Sequence, residues 1–107
     1  MKVKQVERKD NQLIILLSAE TGAYISVDSE EVKVKYEKLN IRDWGYFEDL
    51  KITINNPPDS FSFFIKESEW GRKGRVYLYK IVVCGENVSC TLQKESRNGY
   101  YSIVGIL

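Results

Sequence analysis

Lys51-Ile52-Thr53-Ile54-Asn55-Asn56-Pro57-Pro58-Asp59-Ser60-Phe61-Ser62-Phe63-Phe64-Ile65-Lys66 is the stretch from which the fold is read. Ile52 and Ile54 alternate with Lys51, Thr53 and Asn55, the period of two that lays one face of a strand on a core. Asn56-Pro57-Pro58-Asp59 stops that strand, because proline has no amide to give to a ladder and pushes the residue before it out of helical geometry. Phe61 to Lys66 begins a second strand, in which the same period turns either Phe63 or Phe64 inward.

The pattern continues in both directions. Toward the C-terminus, Ser68 to Gly74 reads as a loop and Arg75 to Cys84 as the longest strand. A cysteine hairpin leads into a strand from Ser89 to Glu95. Arg97-Asn98-Gly99 then makes a tight turn into Tyr100 to Ile106. Toward the N-terminus, Val3 to Arg8 is a first strand and Lys9 to Gln12 a polar turn. Leu13 to Ser18 shows no alternation, which suggests a strand buried on both faces or poorly exposed. Glu20-Thr21-Gly22 turns the chain into Tyr24 to Val27, with Gly22 at a positive φ. Val32-Lys33-Val34-Lys35-Tyr36 alternates, and its β-branched valines favour a strand over the competing helix from 29 to 39. Arg42 to Leu50 reads as a loop with a helical turn.

Eight or nine strands at ten-residue spacing predict an all-β single domain over residues 1–107, an antiparallel β-sandwich or barrel with one short helical turn. Leu13 to Leu17, Phe63 or Phe64, and Tyr77 to Val83 are the expected core. At 107 residues and 12.4 kDa the chain can bury about two-thirds of its unfolded surface, enough for one core.

Composition narrows the chemistry. The chain has no histidine, which removes Ser-His and Cys-His catalysis, imidazole bases and histidine-containing metal sites. No catalytic residue, metal or cofactor is expected. The acidic pairs Glu30/Glu31 and Glu48/Asp49 are adjacent in sequence and read as solvated surface, not as carboxylates set across a cleft. Sixteen basic and 15 acidic residues leave a net charge of +1, far from that of a dedicated nucleic-acid coat. The apolar run Leu13 to Leu17 is too short for a signal-peptide core or a bilayer span, so a cytoplasmic protein without membrane association is expected. Cys84 and Cys90 flank a three-residue loop in this reading and face each other across a hairpin, reduced in the cytosol but able to bridge on oxidation.

Two segments stand out as binding candidates. Asp43-Trp44-Gly45-Tyr46-Phe47-Glu48-Asp49 puts three large aromatics among three carboxylates, outside any alternating pattern. Trp and Tyr dominate interface energetics, and the acids would steer the segment to a basic partner. Trp70-Gly71-Arg72-Lys73-Gly74-Arg75 is a basic loop whose Arg72, Lys73 and Arg75 suit phosphates, with Trp70, Tyr77 and Tyr79 as stacking faces for unpaired bases.

The leading expectation is therefore a small non-enzymatic protein, of an inhibitor or immunity type, that engages a protein partner through Asp43, Trp44, Tyr46, Phe47, Glu48 and Asp49. The second is an oligonucleotide-binding barrel that uses Trp70, Arg72, Lys73 and Arg75. The third is a structural subunit of a phage particle or other assembly.

Overall fold

A computed structural model describes residues 1–70, 74–97 and 100–103. Among them run β1 (Lys2–Lys9), β2 (Gln12–Ser18), β3 (Tyr24–Asp28), β4 (Lys35–Ile41), β5 (Phe47–Asn55), β6 (Ser60–Ser68), β7 (Arg75–Cys84), β8 (Asn87–Arg97) and β9 (Tyr100–Ile103), with a 3-10 turn at Asp43–Gly45. One sheet has the order β1-β2-β5-β4 and the other β3-β6-β7-β8-β9. All neighbours are antiparallel. Among the described residues the two sheets share no ladder, so the fold is a sandwich and not a closed barrel.

The core is the meeting of the two inner faces. Leu13, Ile15, Leu17, Leu50, Ile52 and Ile54 come from the four-stranded sheet. Phe61, Phe63, Ile65, Tyr79, Ile81 and Val83 come from the five-stranded sheet. Each is buried, and each large aliphatic or aromatic side chain so removed from water contributes about 1.5–3 kcal/mol of transfer free energy. Phe63 takes the inward position and Phe64 the outward one.

Of the two readings of β2, the poorly exposed one holds: Ile14 and Leu16 lie half-buried on the outer face, where Gln5, Glu7 and Lys51 only partly cover them. Three sequence expectations are corrected. The segment after β3 is a strand and not a helix, but β4 begins at Lys35. Val32 and Val34 pack on the core from a loop in which Ser29 Oγ donates to the Val32 carbonyl at 2.7 Å. Phe47 to Leu50 belongs to β5 and not to a loop. Finally, the β7–β8 turn is Gly85-Glu86, with Gly85 at φ +62, which pairs Cys84 with Asn87 and Cys90 with Ile81. A two-residue turn sets this register, so the cysteines fall on opposite faces of the sheet and cannot bridge. Both are free thiols.

β7 has the bounds read from sequence, but at 10 residues it is shorter than β8, whose 11 residues run from Asn87 to Arg97 and not from Ser89 to Glu95. The expected turn at Asn98-Gly99 lies outside the described residues; Arg97 pairs with Tyr100 on either side of it. The expected end of the last strand, beyond Ile103, also lies outside them. No helix among the described residues is long and apolar enough to cross a membrane.

Strand direction sorts the connections between two ends. The β1–β2, β3–β4, β5–β6 and β7–β8 links share one end; the β2–β3, β4–β5 and β6–β7 links share the other. That second end gathers the aromatic residues singled out above.

Candidate binding surface

The β4–β5 connection is a tight hairpin. Arg42 N donates to the Tyr46 carbonyl at 2.6 Å and Gly45 N to the Arg42 carbonyl at 3.2 Å. Two successive residues, Trp44 at φ +66 and Gly45 at φ +79, take the left-handed conformation that closes so short a loop. Glycine accepts it at little cost, whereas tryptophan does not. The Trp44 ring stands 88% exposed at the tip.

Behind the tip, residues from three loops and strand ends assemble. Trp70 packs on Tyr46 with ring centroids 4.2 Å apart, and Tyr24 meets Trp70 edge-on at 5.7 Å. Gly45 lies beneath the same indole. The Trp70 Nε1–H is buried and finds no acceptor among the described residues. Tyr24 and Tyr46 are exposed beside it. The two candidate segments of the sequence thus meet through Trp70 and Tyr46, and Tyr24 joins them. Sequence reasoning had no signal for Tyr24, since it looks like any residue of a short edge strand.

Other members of the two segments do different work. Phe47 is 3% exposed and belongs to the core, with the Lys38 ammonium over its ring at 5.2 Å. Its amide donates to the Gly22 carbonyl at 2.9 Å, drawing the start of β5 onto the β2–β3 loop. Glu48 pairs with Arg42. Asp43 is exposed and is in no ion pair among the described residues. Asp49 is buried on the outer face of its sheet, where Lys4 Nζ donates to Oδ1 at 3.0 Å and Asn40 Nδ2 to Oδ2 at 2.5 Å. Both donors come from irregular backbone: Lys4 from a bulge in β1, Asn40 from a left-handed residue at φ +56. Each irregularity re-aims a side chain onto Asp49. Phe47 and Asp49 are therefore structural, and the partner-facing reading of these two is corrected.

The Lys4 hydrogen bond, aided by Asn40, holds the Asp49 carboxyl below its ordinary range even though burial pulls the other way. A carboxyl depressed in the fold adds stability above the unfolded pKa and loses it as pH falls through the folded one. The gap in Tm between the parent and Asp49→Asn is expected to be widest near neutral pH and to narrow below about pH 4. A gap that stays constant on acidification would contradict this role.

At the basic loop, Arg75 Nη1 is engaged with Glu95 Oε1 at 3.0 Å. Tyr79 is buried and its hydroxyl accepts from the Met1 ammonium at 3.1 Å, so it offers no stacking face. Burial, and then the Glu67 charge, raise the Tyr79 phenol well above its usual pKa. Arg72 and Lys73 lie outside the described residues. Burial likewise pushes the Cys90 thiol up to about 11, making it a packing residue and not a nucleophile.

The β2–β3 loop forms the floor of this end. The Glu67 carboxylate, fully buried, accepts hydrogen bonds from three consecutive amides: Glu20 at 3.0 Å, Thr21 at 3.2 Å and Gly22 at 3.2 Å. Between this loop and the 42–46 hairpin lies an open depression of about 570 Å³, walled by Thr21, Arg42, Asp43 and Tyr46. Among the described residues no three Asp, Glu or Cys side chains gather as a metal site.

No protein-family model matches this chain, and no similar protein emerges from the curated proteins or the solved structures.

Proposed function

We propose that the chain is a non-enzymatic binding module, of an inhibitor or immunity type, that captures a protein partner on its aromatic end. The observation that carries this reading is Trp44, 88% exposed on a left-handed backbone at the tip of a hydrogen-bonded hairpin. A residue held in a disfavoured conformation with its ring in water gains nothing for the fold, and such strain gathers where a ligand is met. Because the hairpin is already closed, docking the indole costs little further ordering. At the base of the hairpin Tyr24, Tyr46 and Trp70 form a cluster of aromatic surface of the kind enriched at interface centres. Asp43, unlike Glu48 and Asp49, remains available to a basic group on the partner.

The test separates binding from stability. Capture from the native host, run with and without nuclease and read by mass spectrometry, supplies the partner. Trp44→Ala is then expected to cost about 2 kcal/mol or more of binding while Tm moves by only a few degrees. Trp44→Gly sharpens the contrast: it relieves about 1–2 kcal/mol of left-handed strain and should raise Tm while still weakening capture. Unchanged affinity in both variants would defeat the proposal.

A further inference from the structure

The outer face of the five-stranded sheet carries a second surface, remote in character from the aromatic end. Register places Ser26, Lys66, Leu78 and Lys94 in one cross-strand row, and Asp28, Phe64, Lys80 and Thr91 in the next. Lys66 and Lys94 flank Leu78 and so stand two strand spacings apart, about 10 Å. The Lys80 ammonium lies 6.0 Å from the Phe64 ring centroid. Lys94 reaches this face only because a bulge in β8 skips Gln93 and reverses the inside-outside alternation beyond it. The rows border a groove of about 530 Å³ in which Phe64 and Leu78 are the apolar lining and Lys66, Lys94, Ser26 and Asp28 the polar one; Lys80 lies beside it, against the Phe64 ring.

The charge along the middle strands of this face is positive: Lys66, Lys80 and Lys94 form no ion pair among the described residues. Acidic groups stand on its β3 side, where Asp28 lines the groove and Glu30 and Glu31 border Phe64, Glu31 accepting from the Ser62 amide. The outer face of the other sheet is different: its depression, of about 160 Å³, mixes Glu7 with Lys51. We infer that the Phe64–Leu78 groove, with Lys66, Lys80 and Lys94, is a binding site for a single-stranded nucleic acid. Such a chain offers one charge and one flat apolar ring per residue, which matches lysine point charges beside a half-buried phenyl and a leucine. An acidic peptide fits less well, because it brings carboxylates without a flat ring at each residue to lie on Phe64 and Leu78. Compact ammonium groups contact phosphates without reading base edges, so sequence preference should be slight.

The test is fluorescence anisotropy of a labelled oligothymidylate against rising salt. Three lysine–phosphate contacts predict a slope of about −2 in log affinity against log salt. Lys66→Ser, Lys80→Ser and Lys94→Ser together should flatten that slope and abolish binding at low salt. Phe64→Leu, which keeps the packing, should weaken binding about tenfold through lost stacking. Trp44→Gly should leave it unchanged, so that failure at the aromatic end and failure here are read separately. No binding at low salt, or binding indifferent to the three lysines, overturns the inference. Displacement by polyglutamate as effective as by unlabelled oligothymidylate also overturns it, in favour of an acidic peptide.

Discussion

Glu67→Ala is expected to destabilise the domain by about 3–5 kcal/mol, the scale for removing one partner of a buried, charged network. β6 turns Phe61, Phe63, Ile65 and Glu67 to the same inner face, so a carboxylate occupies what is otherwise a core position. Its oxygens are the acceptors for the amides of Glu20, Thr21 and Gly22. Truncation leaves these amides facing a cavity, and each buried donor without a partner costs about 1–3 kcal/mol. Glu67→Gln retains one acceptor oxygen but points an NH₂ donor at other donors, so it should fall between parent and alanine variant. Urea unfolding with a shared m-value decides the matter. A loss below about 1 kcal/mol for the alanine variant would mean that water replaces the carboxylate at no great cost.

Gly22→Ala is the second large effect. Gly22 sits at φ +68, and an added Cβ would lie 2.3 Å from the Phe47 carbonyl oxygen. That oxygen belongs to backbone tied to Gly22 itself through the Phe47 amide, so neither side can yield alone. Left-handed strain of about 1–2 kcal/mol adds to an overpacking cost of about 1–3 kcal/mol. Gly85→Ala is the matched control: φ is +62 there, yet nothing lies within 4 Å of the added methyl. It should lose only the conformational part, about 1–2 kcal/mol. Equal losses at both positions would show that the contact with Phe47 is immaterial.

Much of the architecture was legible in the sequence because strands of this domain are half-buried and punctuated. Lys51 to Asn55 alternates cleanly and Pro57-Pro58 ends it, so the end of β5 and the position of β6 follow from that pattern, whereas β5 starts four residues earlier, at Phe47. The errors fall where backbone irregularity breaks the period. Alternation from Val32 to Tyr36 continued across the start of β4, since a loop valine buried on the core looks like a strand valine. The acidic aromatic segment read as one candidate surface because nothing local distinguishes Asp49, clamped by Lys4 and Asn40, from Asp43 in solvent. A bulge carries no compositional mark here, so the reversal at Gln93 that sends Lys94 outward was invisible. The cysteine register turned on whether Gly85 opened a two-residue turn or preceded a longer one. The meeting of Trp70 with Tyr46 and Tyr24 is a product of topology, which brings three separate connections to one end.

The closure of the 42–46 hairpin has an evolutionary consequence. Its base is held by main-chain bonds between Arg42 and Tyr46 and between Phe47 and Gly22, none of which depends on the side chains at 43 and 44. Substitution at those two positions leaves these bonds in place, the stability cost at 44 being limited to how well the new residue accepts a positive φ, so selection can rewrite what the tip recognises while the sandwich stays untouched. Descendants of such a chain would diverge fastest at the hairpin and slowest at Gly22 and Glu67, so recognition could drift across partners on an unchanging frame.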